Sequence, residues 1–234
     1  MNNIFHNIDL FRIINEYTDL RSLCDTCILF STLKKYINYK LNREYSLMYY
    51  DNILFRDRVL NKIFNPNKQL KLNLYLCDNI TDVKTLSNVY SLDLSNCNNI
   101  TDVSALGSVH TLNLSYCNNI KDVSALGNVH KLVLRYCKNI TDVSTLGNVY
   151  YLNLSYCDNI IDVSELGNVH RLDLSGCENI TDVSALGNVY YLNLSYCDNI
   201  TDVSALGNVH TLNLSYCNNI TDVSALGNVH LIKN

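Results

Sequence analysis

The sequence repeats itself every 20 residues. A leucine stands at Leu72, Leu92, Leu112, Leu132, Leu152, Leu172, Leu192 and Leu212, with no residue gained or lost between copies. A period held that strictly belongs to a stack of equal coils and not to loose compositional bias. Within one copy, Val89, Leu92, Leu94, Cys97, Ile100, Val103, Leu106 and Val109 follow at spacings of 3, 2, 3, 3, 3, 3 and 3. The spacing of two predicts a short strand with alternate residues facing inward. The spacings of three predict tight turns of 3₁₀ type, in which residues i and i+3 eclipse. A single coil of this length cannot bury its own interior, so neighbours must stack, strand on strand, about 4.8 Å apart. Eight such coils give a parallel sheet about 38 Å long.

The pattern Val89-x-x-Leu92-x-Leu94-x-x-Cys97-x-x-Ile100-Thr101 resembles the leucine-rich repeat in its cysteine-containing form. The tail from Asp102 to Val109 is short, similar to the outer segment of bacterial internalin-like repeats. The resemblance covers residues 72–231. It implies an α/β solenoid, a curved array with a parallel β-sheet on its concave face, and the residues before it are expected to form a small α-helical N-terminal domain. It implies protein binding on that face, and no catalysis. The boundary is expected at 68/69, with a helical domain over 1–68 and the solenoid over 69–234, comprising eight coils and a partial ninth.

The first domain does not repeat. Leu10, Ile13, Ile14 and Tyr17 form a helical stripe with Asp9 near its start, Leu20, Leu23, Cys24, Cys27 and Ile28 form a second, and Leu33 to Tyr39 supply a third. Further helix is expected over Tyr45 to Phe64, ending before the turn Asn65-Pro66-Asn67. The order Leu-Phe-Arg-Ile-Ile-x-Glu-Tyr and then Asp-Leu-x-Ser-Leu-x-x-x-Cys, from Leu10 to Cys27, resembles an F-box. No Leu-Pro pair opens the segment, and the chain has no tryptophan. The resemblance implies a substrate receptor of a cullin-type ubiquitin ligase, with Leu10, Phe11, Ile14, Leu20 and Leu23 among the positions that dock the ligase adaptor. The alternative is a plain helical cap on the first coil.

Charge divides the chain. Residues 1–70 carry net +3 and residues 71–234 net −7. A nucleic-acid-binding solenoid would run basic along its sheet, so no nucleic-acid partner is expected. No run of 18 apolar residues and no signal-peptide pattern occurs, so neither membrane insertion nor export is expected. A cytoplasmic location follows as the expectation, with the nucleus as an alternative. The wealth of Asn, Ile, Tyr and Lys is like that of AT-rich protist and giant-virus genomes, which would make it a host cytoplasm. Cys77 and its equivalents through Cys217 share one repeat position and are expected to stack as a column of reduced, buried thiols. A stacked column does not supply the tetrahedral convergence that zinc needs. Cys24 and Cys27 form a lone CxxC with no second pair.

The remaining columns read as scaffold. Thr101 or Asp102, and equivalents, cap the outer turn. Asn79 and equivalents hydrogen-bond from coil to coil, and Gly107 and equivalents end the outer turn through positive φ or close approach. His110, His130, His170, His210 and His230 alternate with Tyr90, Tyr150 and Tyr190 at a position that wants a flat ring, with neighbours about 5 Å apart. No phosphate-cradling loop, GxSxG or HExxH occurs. No enzyme activity, cofactor or metal is expected.

Residues 91, 93 and 95 and their equivalents line the concave sheet, and most copies there are bland, as in Thr111, Asn113 and Ser115. One region differs. Lys131, Val133, Arg135, Tyr151, Arg171 and Asp173 are the candidate centre of a protein-binding patch, because aromatic and arginine side chains are favoured anchors. Drift on a solvated sheet is the alternative. The primary expectation is a protein-interaction scaffold with a protein partner on the concave face. Leu231 and Ile232 are expected either to fold over the last coil or to pair with another molecule.

Overall fold

The structure, a computed structural model, describes residues 41, 43–58 and 70–233. The chain divides into two compact units, Met1–Asn73 and Leu74–Asn234. In the first, α1 (Arg43–Asp51) and α2 (Ile53–Arg58) precede β1 (Lys71–Asn73). The expected continuous helix is therefore interrupted. Asn52 breaks it, its Oδ1 accepting the Phe55 N–H at 3.0 Å, which caps the start of α2. Residues 59–64 of that expectation lie outside the described residues. Tyr49 is buried in this unit, and the buried Ser46 hydroxyl donates to the Leu41 carbonyl and accepts the Asn73 N–H.

In the second unit the strands are β2 (Ser91–Asp93), β3 (Thr111–Asn113), β4 (Lys131–Val133), β5 (Tyr151–Asn153), β6 (Arg171–Asp173), β7 (Tyr191–Asn193), β8 (Thr211–Asn213) and β9 (His230–Ile232). The sheet is parallel and runs in chain order. It lines the concave face of a curved leucine-rich-repeat solenoid. Leu92 pairs with Leu112, Leu112 with Leu132, and Leu132 with Leu152, so equal residues occupy equal slots on successive rungs. The reason is the central leucine of each strand. It is buried while its two flankers are part-exposed, and a slip of one residue would put a row of leucines into water.

The last rung departs from the period. A strict 20-residue step would put Leu231 over Thr211, but Leu231 pairs with Leu212 and Ile232 with Asn213. Dropping one residue keeps a leucine in the leucine row and leaves Ile232 on the sheet face. Leu231 and Ile232 thus extend the sheet on β8.

Each coil returns through a 3₁₀ turn, as at Ser104–Leu106 and Ser124–Leu126, whose leucine is buried. The residue that caps this turn is the aspartate and not the threonine: Asp102 Oδ1 accepts the Ser104 N–H at 2.9 Å, and every equivalent aspartate repeats the contact. The asparagine column also forms, Asn119 Nδ2 donating to the Asn98 carbonyl of the previous coil at 2.7 Å. The glycine at the end of the outer turn is there for close approach. Gly107 has φ −62°, ordinary helical backbone, and a Cβ on it would collide with the Ala125 carbonyl oxygen of the next coil.

The cysteine column carries a hydrogen bond that explains its identity. Cys117 Sγ donates to the Leu94 carbonyl at 3.1 Å, and Cys97, Cys137, Cys157, Cys177, Cys197 and Cys217 repeat the bond, each to the leucine carbonyl of the coil before it. The same Leu94 carbonyl also accepts the Cys97 N–H. A small apolar side chain with one donor satisfies the second lone pair of a buried carbonyl that would otherwise have no partner there. The eight ladder cysteines are buried, and the seven from Cys97 to Cys217 are free thiols. Burial pushes the thiol of Cys97 up to about 11 and those of Cys117 and Cys137 up to about 12, the neighbouring thiols adding to the effect.

Candidate interaction surface on the sheet

The bland rungs are built to cover their own polar groups. Asn113 Oδ1 accepts both the N–H and the hydroxyl of Ser115, at 3.1 and 2.6 Å, and Asn153 and Ser155 repeat the pair. These serines are therefore buried: Ser115, Ser155, Ser175, Ser195 and Ser215 are all at or below 8% exposure. The third face position is thus closed off on most rungs, whereas the sequence pattern alone leaves it open to solvent.

β4 abandons this arrangement. Val133 stands where its neighbours carry Asn113 and Asn153, and Arg135 stands where they carry serine, so the side-chain bond to the backbone is given up. Lys131 and Arg135 are exposed on either side of the half-buried Val133. Two rungs on, Arg171 is exposed at the position equivalent to Lys131.

Each cation rests on an aromatic ring. Lys131 Nζ lies 4.8 Å from the centre of the Tyr151 ring, and the Arg171 guanidinium lies 5.0 Å from that of Tyr191. Arg135 lies 5.1 Å from the Tyr136 ring and 5.5 Å from that of Tyr156. Such contacts hold a cation in place without neutralising it, because the ring carries a quadrupole and no net charge. No carboxylate lies within ion-pair distance of Lys131, Arg135 or Arg171 among the described residues. The repeat's ion pair, Lys138 with Asp158 at 3.2 Å, lies in the loop beyond the strands.

Asp173 sits on the same face but is engaged by the scaffold. Its carboxylate accepts the N–H and hydroxyl of Ser175 and the side-chain amides of Asn153 and Asn193. It holds the sheet's polar row together, while Lys131, Val133, Arg135, Tyr151 and Arg171 face outward as a group. The adaptor-docking candidates Leu10, Phe11, Ile14, Leu20 and Leu23 lie outside the described residues.

Sequence reasoning left out Tyr191, Tyr136 and Tyr156. Tyr191 occupies the same repeat position as Tyr151, which was the available signal. Tyr136 and Tyr156 belong to a column whose backbone has positive φ, 58° in both, shared by Asn96 at 59° and Gly176 at 68°. Asn and Gly at that position, both tolerant of left-handed backbone, were the sequence signal for it. In this column Tyr116, Tyr136 and Tyr156 stack at 4.7 and 4.5 Å, and Tyr196 stacks on Tyr216 at 4.6 Å. Gly176 separates the two groups, because a Cβ there would meet the Tyr156 ring at 2.5 Å.

A second aromatic column precedes the strands. Tyr90, His110, His130, Tyr150, His170, Tyr190 and His210 stack in sequence, with ring centres between 4.3 Å and 4.8 Å apart. Burial and the neighbouring His130 hold the His110 imidazole below its usual value. Among the described residues no group of three or more His, Cys, Asp or Glu side chains converges as a metal site, and no helix is long and apolar enough to cross a membrane.

Comparison with known proteins agrees with this architecture. The family profile described as "Leucine Rich repeat" matches residues 208–226. No curated protein sequence matches the chain. Among solved structures, TLR13 in the TLR13–ssRNA13 complex is similar at 20% identity over 78% of this chain and 30% of that one, with a TM-score of 0.52. Internalin C2 of Listeria monocytogenes is similar at 27% identity over 72% of each chain, with a TM-score of 0.44. InlJ of Listeria monocytogenes, whose functional domain "includes a cysteine ladder", is similar at 18% identity over 71% of this chain and 53% of that one, with a TM-score of 0.35. The rung-for-rung leucine register and short outer turns give the chain the fold of a leucine-rich-repeat solenoid, and the repeat profile itself matches residues 208–226.

Proposed function

We propose that this chain is a non-enzymatic protein-interaction scaffold that holds a partner protein on the concave sheet, centred on Lys131, Val133, Arg135, Tyr151, Arg171 and Asp173, with Tyr191 completing the surface. The observation that carries this reading is the cost the scaffold accepts at β4. Every serine-bearing rung ties its own backbone down through an Asn or Asp. The rung bearing Val133 and Arg135 forgoes a bond worth about 0.5–1.5 kcal/mol and displays cations on aromatic rings instead. Rings that pre-order long cationic side chains reduce the entropy lost when a partner docks. The solved neighbour TLR13 is complexed with ssRNA13, but residues 71–234 here carry net −7, which opposes a nucleic-acid strand along the sheet.

The test is capture of a defined partner by the full chain and by a variant with Lys131→Ala, Arg135→Ala and Tyr151→Ala. Capture that depends on these side chains supports the reading, and capture unchanged in the variant refutes it. The F-box-like order from Leu10 to Cys27 supports an alternative, in which the partner on the sheet is a target delivered to a cullin-type ubiquitin ligase. Co-purification of the ligase adaptor with the full chain, abolished by Leu10→Ala with Phe11→Ala, would favour it. Failure of the adaptor to bind would leave the general scaffold.

A further inference from the structure

We infer that the patch on β4 to β7 recognises a short acidic segment of a partner protein, with carboxylates seated on Lys131, Arg135 and Arg171. This rests on the reading of the sheet as a protein-binding face and names the chemistry of what it binds.

The three cations have no ion-pair partner among the described residues, yet the scaffold spends four aromatic contacts on fixing where they point. A cation that merely solubilises a surface needs no such support. Lys131 opens β4 and Arg135 lies in the turn two residues past its end, at most about 13 Å away along the chain, and Lys131 and Arg171 lie two rungs apart, about 10 Å. An extended peptide places alternate side chains on one face about 7 Å apart, so carboxylates at positions i and i+4 span Lys131 and Arg135. Val133 lies half-buried between the two cations. Guanidinium and carboxylate pair through two parallel hydrogen bonds, which favours Arg135 and Arg171 as the specific contacts and Lys131 as a point charge.

The surroundings set the length of the ligand. Asp158, Glu178 and Asp198 occupy one loop position on consecutive coils beyond the strands, beside the tyrosine column. Asp93 lies two rungs before β4 on the sheet itself, and Asp173 lies inside the patch beside Arg171 with its carboxylate taken up by Ser175, Asn153 and Asn193. A polyanion that ran past the patch would meet these carboxylates, so the favourable field is confined to roughly the span of the three cations. That geometry suits a peptide of four to six residues with two or three acidic side chains, and it disfavours a nucleic-acid strand.

Fluorescence anisotropy with the full chain tests this. The probes are fluorescein-labelled (Glu-Ser)₄, its uncharged counterpart (Gln-Ser)₄ and a ten-nucleotide oligothymidylate. The acidic peptide is expected to bind at 50 mM salt, to weaken at least tenfold at 300 mM salt, and to weaken at least tenfold in a variant with Lys131→Gln, Arg135→Gln and Arg171→Gln. A control with Lys84→Gln and Lys121→Gln, both exposed on the outer coil, is expected to bind as the parent does. Should the triple variant lose its circular dichroism spectrum, Arg135→Gln alone is read instead, with a loss of at least threefold expected. No binding of the acidic peptide, equal binding of (Gln-Ser)₄, equal weakening in the outer-coil control, or tighter binding of the oligothymidylate would each overturn the inference. If the acidic peptide fails while partner capture still depends on Lys131, Arg135 and Tyr151, the acidic chemistry is refuted and the sheet reading survives.

Discussion

Alanine at the outer-turn glycines separates two reasons for a glycine, and the structure supplies its own controls. Gly107, Gly207 and Gly227 have φ of −62°, −61° and −58°, so alanine is conformationally acceptable at all three. What differs is the next coil. A Cβ on Gly107 would overlap the Ala125 carbonyl oxygen, one on Gly207 would stand 2.7 Å from the Ala225 oxygen, and one on Gly227 would meet nothing within 4 Å. Relieving the contact at Gly207 to an ordinary separation of about 3.4 Å requires the coils to part by about 0.7 Å against a rung spacing of about 4.8 Å, and Gly107 requires more. Overpacking of that kind costs about 1–3 kcal/mol. For a chain of this size each 1 kcal/mol shifts Tm by about 2–4 °C. Gly107→Ala is therefore expected to lower Tm by about 2–12 °C and Gly207→Ala by less. Gly227→Ala should raise stability slightly, by about 0.4–1 kcal/mol, through the reduced freedom of the unfolded chain. Thermal melts of the three single variants, followed by circular dichroism, read the series directly. Equal destabilisation at Gly107 and Gly227, or none at Gly107, would refute the argument that these glycines exist to let coils approach.

Three further outcomes follow from the same geometry. The seven ladder cysteines from Cys97 to Cys217 should resist iodoacetamide in native protein at pH 8, because burial holds them as thiols, and should all react in denaturant, as peptide mass mapping would record. Native labelling of Cys117 or Cys137 would contradict the packing. His110 has a folded value below its unfolded 6.5, so the unfolded chain binds more protons in that window. Its contribution is therefore intact above pH 6.5 and falls as pH drops through that value. Tm should decline between pH 7.5 and 5.5, and His110→Tyr, which preserves the ring stack, should flatten the decline; an unchanged slope would refute the assignment. Val133→Asn restores the missing cap on the Arg135 N–H and should raise stability by about 0.5–1 kcal/mol in denaturant melts. A loss of stability there would show that Val133 is held by packing and not by display.

The register, the strand positions and the thiol column were all legible in the sequence, because a repeat writes its packing out many times and any residue that faces inward must recur. Leu112 and Leu132 could only stack. What repetition hides is a property that every copy shares without a telling residue type. The left-handed backbone at Tyr116 and Tyr136 is carried mostly by tyrosine, which gives no hint of positive φ, and only Asn96 and Gly176 betray it. The buried serines were also hidden, since serine on a sheet face reads as exposed until the Asn113 amide oxygen is seen to cover it. The one-residue slip at β9 was hidden because it depends on Leu231 competing for the leucine row. Of the candidate patch, the unusual residues could be read by comparing copies. The cation–ring contacts could not, because they depend on which neighbour a flexible side chain leans toward.

A crystal structure of the full chain tests the central claim most directly, since the displayed surface exists only if the rungs are in register. The account predicts Leu112 and Leu132 in equivalent buried slots on adjacent parallel strands, with Lys131 beside Tyr151 and Arg171 beside Tyr191 on the open face. Strands offset by even one residue would turn Leu132 toward solvent, bury Lys131 or Val133 in its place, and contradict both the fold and the function argued from it.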